Sequence, residues 1–129
     1  MGSVVLDASA ALALLKHEPG GDIVRAHIPG AAISAVNAAE VVEKLAATGL
    51  NEIEVRVFVS TLGAEIVPFD ESFAFMTGML RPRTRHAGLS LGDRACLALA
   101  QARGIPALTA DRSWAHLDLE IEVQLIRGQ

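Results

Sequence analysis

A chain of 129 residues has room for one domain of ordinary size and not for two. Hydrophobic residues make up 51% of it, which excludes a disordered chain and exceeds what a soluble monomer needs, so part of its apolar surface is expected to meet a partner. The net charge of −4 excludes nucleic-acid binding by bulk electrostatics, and any such contact must be local or bridged by a cation.

Val4-Val5-Leu6 is a short strand-forming run followed at once by Asp7, and residues 8–16 read as a helix stopped by Glu18-Pro19-Gly20-Gly21. A second helix is expected over 22–27. Ala31-Ala32-Ile33 then makes a strand leading through Ser34 into a helix over 36–48, closed by Gly49. Residues 51–62 read as a helix with Ile53, Val57 and Leu62 on one side. Glu65-Ile66-Val67 is a strand stopped by Pro68, 71–80 are helical, and 81–86 are read as a basic loop. Ser90 opens a helix that runs to Arg103 and is capped by Gly104. Residues 106–109 form the next strand, followed by Asp111, a turn around Trp114 and a last strand near 122–126. Alternating β and α elements with short connections predict a parallel sheet covered by helices on both faces.

The longest apolar stretch, 8–15, is broken by Ser9 and falls short of the roughly 20 residues that cross a bilayer. No basic segment precedes it, and Leu6 fails the hydroxyl position of a myristoylation signal, so a cytoplasmic protein without a membrane anchor is expected. The single cysteine, Cys96, lies among Ala95, Leu97 and Ala98 and reads as a buried, inert thiol. No Cys/His cluster suggests zinc.

The chemistry lies in where the acids fall. Asp7 directly follows the first strand, Asp111 follows the strand ending at Thr109, and Asp93 lies in the first turn of the helix after Ser90. Glu40 lies in the second turn of the helix after the Ile33 strand. Ligands of open parallel sheets bind outside the carboxyl ends of the strands, where these four acids would gather. Each also has a plain structural explanation. Asp7 suits a helix cap, Asp93 completes a capping box with Ser90, Glu40 is spaced to pair with Lys44, and Asp111 suits a turn. Only their conjunction suggests function. Carboxylates about 4 Å apart repel by about 4 kcal/mol at an effective dielectric of 20, so a cluster needs raised pKa values or a cation. An all-oxygen donor set selects Mg2+ or Mn2+.

Four segments carry a family resemblance: Val4-Val5-Leu6-Asp7-Ala8-Ser9, Ser34-Ala35-Val36-Asn37-Ala38-Ala39-Glu40, Leu91-Gly92-Asp93, and Leu108-Thr109-Ala110-Asp111-Arg112. In this order and spacing the chain resembles the PIN-domain nucleases, and within them the VapC-type toxins of bacterial toxin-antitoxin pairs. The resemblance implies a single three-layer α/β/α domain over 1–129 with a mainly parallel sheet. It implies that Asp7, Glu40, Asp93 and Asp111 are both the catalytic and the metal-binding acids, with Ser9 and Thr109 as supporting hydroxyls. It also implies an Mg2+-dependent endoribonuclease, a homodimer and a protein antitoxin. Metal-assisted attack by water would leave 5′-phosphate and 3′-hydroxyl ends.

Arg83, Arg85, Arg94 and Arg112 are the candidate phosphate contacts, because guanidinium forks match phosphate oxygens. Four phenylalanines, one tryptophan and no tyrosine make base stacking a minor theme. A dehalogenase-type phosphatase would need a second Asp two residues after Asp7, where Ser9 stands, and the paired acids and lysine of a receiver domain are missing. Two rivals remain, an inactive PIN-like interaction module and a housekeeping PIN nuclease without an antitoxin.

Overall fold

The computed structural model describes residues 3–128. Among them, β1 (Val4–Leu6), β2 (Ala31–Ser34), β3 (Glu65–Val67), β4 (Ala107–Thr109) and β5 (Val123–Leu125) form one parallel sheet in the order β3-β2-β1-β4-β5. The strands connect through α1 (Ala8–Leu15), α2 (Gly21–His27), α3 (Ala35–Ala46), α4 (Glu52–Thr61), α5 (Glu71–Met79), α6 (Arg81–Thr84) and α7 (Leu91–Arg103). The expected three-layer α/β/α architecture is present.

Parallel strands covered on both faces are apolar at every position, and Val4, Val5 and Leu6 are almost wholly buried. Their alternation divides the core. Val4, Leu6, Ala31, Ile33 and Leu108 face one layer with α1 to α4, whereas Val5, Ala32 and Ala107 face the other with α7 and the inner side of α5. Cys96 belongs to this second core, buried as expected.

Helix ends follow local chemistry. Asn51 with Glu54, and Ser90 with Asp93, form capping boxes at the starts of α4 and α7. Gly104 ends α7 at φ +63°, a left-handed conformation that glycine adopts without steric cost.

Two sequence expectations are corrected here. The basic segment is helical: α6 and a 3-10 turn, Arg85–Ala87, occupy it. Pro82 in the first turn needs no amide hydrogen there, and Thr84 Oγ1 bonds the Leu80 carbonyl at 2.9 Å. The inner face of α4 is also different. Val55 and Leu62 are buried and Val59 packs beside them, while Ile53 and Val57 point outward, at 75% and 59% exposure. Both stripes are apolar, so periodicity alone does not choose between them.

No described helix is long and apolar enough to cross a membrane.

Candidate metal centre

The chain passes from β1 outward to β2 and β3, then returns to lay β4 along the other flank of β1. Strand order therefore reverses between β1 and β4. Their carboxyl ends open a crevice there, the usual ligand position in such sheets. A cavity of about 380 Å³ occupies this edge, and Asp7, Ser9, Glu40, Asp93 and Asp111 all line it. All four acids, separated by up to 104 positions in the chain, share one volume.

Asp7 is held most tightly. Its backbone N–H bonds the Leu108 carbonyl at 2.9 Å, tying it to the neighbouring strand. It occupies the N-cap position of α1, yet its side chain does not cap the helix. Asp7 Oδ2 instead accepts hydrogen bonds from Ser9 Oγ at 2.7 Å and from Thr109 Oγ1 at 2.9 Å. Ser9 Oγ also accepts from the Ala110 amide and Thr109 Oγ1 from the Asp111 amide, so two hydroxyls lace the ends of β1 and β4 together. Burial pushes Asp7 up from the ordinary 3.8 to about 6. The two hydroxyl bonds and the Ala8 amide restrain that rise, and the negative charge of Asp93 adds to it.

Glu40 is positioned by Asn37, one turn earlier on α3 and fully buried. Asn37 Nδ2 donates to Glu40 Oε1 and to the Gly92 carbonyl, both at 2.9 Å, and so joins α3 to the start of α7. A Cβ on Gly92 would lie 2.6 Å from Glu40 Oε1, hence the absence of a side chain there. The Glu40–Lys44 pair suggested by spacing is not formed among the described residues, because Glu40 turns to Asn37. Asn37 is a positioning residue that the sequence reading quoted in a motif without giving it a role. Its i, i+3 spacing to Glu40 on a helix was the available signal.

Asp93 and Asp111 fill their plain structural roles and line the cavity as well. Asp93 Oδ2 accepts from the Ser90 amide at 2.9 Å, and Asp111 Oδ1 accepts from the Ser113 amide and hydroxyl at 2.9 and 2.8 Å. In Glu40, Asp93 and Asp111 these hydrogen bonds fall on one carboxylate oxygen, and Asp7 takes the Ala8 amide besides its two hydroxyls. Cys96 reports the same crowding from below. Burial pushes its thiol up, and the charges of Asp7, Asp93 and Glu40 push it further.

The arginines lie elsewhere. Arg94 is buried with its Nε lacking a hydrogen-bond partner, Arg112 reaches toward the Gly128 carbonyl at 3.4 Å, and Arg83 reaches the Asp118 carbonyl at 3.3 Å. Arg85 is exposed in its 3-10 turn. None of the four lines the acid cavity. Lys16, Lys44 and Arg127 do, together with Glu18.

A family model described as "PIN domain" matches residues 4–120. The chain belongs to the PIN-domain family. No curated protein matches it. Among solved structures this PIN domain is similar to a chain of DNA-bound VapBC from Salmonella typhimurium, at 19% identity and a TM-score of 0.77, covering 98% of this chain and 100% of that one. It is also similar to a chain of a toxin-antitoxin complex from Klebsiella pneumoniae, at 21% identity and 0.76, covering 97% and 98%. A third similar chain, at 25% identity and a TM-score of 0.59, comes from VapBC-5 of Mycobacterium tuberculosis and covers 99% and 100%. The sheet order and helical layers of the PIN domain account for these fits.

Among the described residues, no three His, Cys, Asp or Glu side chains are drawn together closely enough to hold a metal ion unaided. The four acids that line the cavity offer oxygen donors alone, the donor type that magnesium takes through one or two carboxylates and several waters, and no Cys or His of the structural zinc kind is among the cavity's lining residues.

Proposed function

We propose that this PIN domain is a magnesium-dependent endoribonuclease and the toxin of a toxin-antitoxin pair. The observation that carries the reading is the convergence of Asp7, Glu40, Asp93 and Asp111 on one cavity at the strand-order reversal. Bound Mg2+, or Mn2+ in its place, would neutralise these acids, lower the pKa of a water and offset charge building on the phosphodiester.

The chain's own side chains supply the rest. Asp7 is oriented by Ser9 and Thr109 and held in a buried setting that raises its pKa to about 6, a cost that a bound cation would offset. Asp93 is fixed in its turn of α7 by the capping box. Glu40 Oε2 and Asp111 Oδ2 are the groups placed to accept the proton of an attacking water. Such attack needs no 2′-hydroxyl and would leave 5′-phosphate and 3′-hydroxyl ends. The choice of RNA over DNA rests on likeness to the VapC-type toxins.

Of the similar structures, one is described as a toxin-antitoxin complex and another as a member of the VapBC family of toxin-antitoxin systems, and a protein antitoxin is accordingly the proposed partner here. Exposed Phe75 and Met79 on α5 and Val42 on α3 are in keeping with a homodimer. A cytoplasmic location fits an RNA substrate.

The test is cleavage of end-labelled RNA by purified protein with Mg2+, beside Asp7→Asn and Asp93→Asn variants and an EDTA control. Cleavage that falls to background in both variants and in EDTA supports the proposal. Equal cleavage in wild type and variants identifies a contaminant, and no cleavage by wild type favours an interaction module without turnover.

A further inference from the structure

Three cationic side chains join the acids in lining the cavity. Five carboxylates line it, Asp7, Glu18, Glu40, Asp93 and Asp111, in a chain whose net charge is already −4. A phosphodiester approaching them needs cationic contacts of the protein's own beyond the metal. The arginines nearest in sequence do not provide these, being buried or turned to backbone carbonyls elsewhere.

The three cations that do line the cavity differ in what they already hold. Arg127 Nη1 donates to the Pro19 carbonyl at 2.7 Å and lies 3.6 Å from Glu18, so it clamps the final segment to the loop after α1. Lys16 and Lys44 form no ion pair among the described residues, and both are exposed. Lys44 lies one turn beyond Glu40 on the same face of α3 and forms no ion pair with it, the Glu40 carboxylate being turned to Asn37 through Oε1. Lys16 closes α1, the helix that Asp7 opens, so about 12 Å of helix separates them. That span exceeds the reach of a single phosphate.

We infer that Lys16 and Lys44 are the substrate-gripping pair of this site, Lys44 on the phosphate beside Glu40 and Lys16 on a neighbouring phosphate farther along the strand. This inference rests on the nuclease reading and adds to it the residues that hold the backbone. Ammonium groups on flexible stems suit it, since they act as point charges that follow a backbone without reading sequence.

The experiment measures kcat and KM for RNA cleavage with Mg2+ at several salt concentrations, for wild type, Lys16→Gln, Lys44→Gln and the double variant. Each single change is expected to raise KM about 2- to 5-fold, the equivalent of one exposed ion pair, with the loss falling mainly on KM. The slope of log KM against log salt is expected to become shallower by about 0.7 per lysine, as one fewer counterion is released from a single strand. Lys44→Arg should keep the wild-type slope. Cleavage by wild type with KM and salt slope unmoved in the variants overturns this inference alone, whereas absence of cleavage by wild type overturns the nuclease reading and this inference with it.

Discussion

Asn37, wholly buried, donates a 2.9 Å hydrogen bond to Glu40 Oε1 and a second to the Gly92 carbonyl, so a single amide sets the distance between the acid of α3 and the helix that carries Asp93. Removing it deletes both donated hydrogen bonds from a buried site and leaves a carboxylate free to swing. Asn37→Ala should therefore lose about 1 to 3 kcal/mol in denaturant unfolding and need more Mg2+ for half-maximal cleavage. Unchanged stability and unchanged metal requirement would show that the bridge is incidental.

Gly92 tests the same junction from the other side. A methyl there would lie 2.6 Å from Glu40 Oε1, the end of a side chain that can move aside. Gly92→Ala is expected to fold with a small loss of stability and to cleave RNA several-fold more slowly, because Glu40 is displaced from the cavity. Wild-type cleavage by this variant would remove Glu40 from the proposed machinery.

Asp7 carries the pH dependence. Its carboxyl stands at about 6 in the folded protein against an ordinary value of 3.8, so the folded state favours the protonated form. That contribution is complete below about pH 4 and is lost as pH rises through about 6, at a cost of up to about 3 kcal/mol to the metal-free protein at neutral pH. In EDTA, Asp7→Asn should raise the melting temperature at pH 7.5 and leave it little changed near pH 4. Mg2+ should stabilise wild type at pH 7.5 more than the variant. A variant less stable than wild type at pH 7.5 would contradict the burial argument.

The orientation of α4 is open to a paired test. Val55 is 4% exposed and Val57 59% exposed. Val55→Ala should destabilise by about 1 to 3 kcal/mol, and Val57→Ala by less than about 0.5 kcal/mol in the isolated chain. Reversal of that order, measured by chemical denaturation, would mean that α4 is rotated.

Much of the site was legible in the chain because its acids occur at element boundaries. A strand that ends in Asp7, a capping box that contains Asp93 and a turn that begins at Asp111 are local patterns, and local patterns survive folding. For Asp93 and Asp111 the plain structural role does not exclude the proposed one, since their hydrogen bonds to the backbone use one carboxylate oxygen and both residues line the cavity. Proximity in sequence misled for the arginines. Arg94 and Arg112 each adjoin a site acid, yet consecutive helical residues diverge by about 100°, which sends Arg94 into the core, and Arg112 turns to the final segment.

By itself, the sequence determined the alternation of strands and helices, the parallel sheet and the placing of the four acids at one edge of it, since each follows from hydrophobic period, capping residues and strand ends. The tertiary structure alone decided which apolar stripe of α4 is inward, that Asn37 and not Lys44 holds Glu40, and that Lys16, Lys44 and Arg127, not the arginines beside the acids in sequence, line the cavity. Those outcomes depend on how one element's side chains meet another's across the sheet edge. A periodic pattern within one element carries no record of its neighbour's position or rotation.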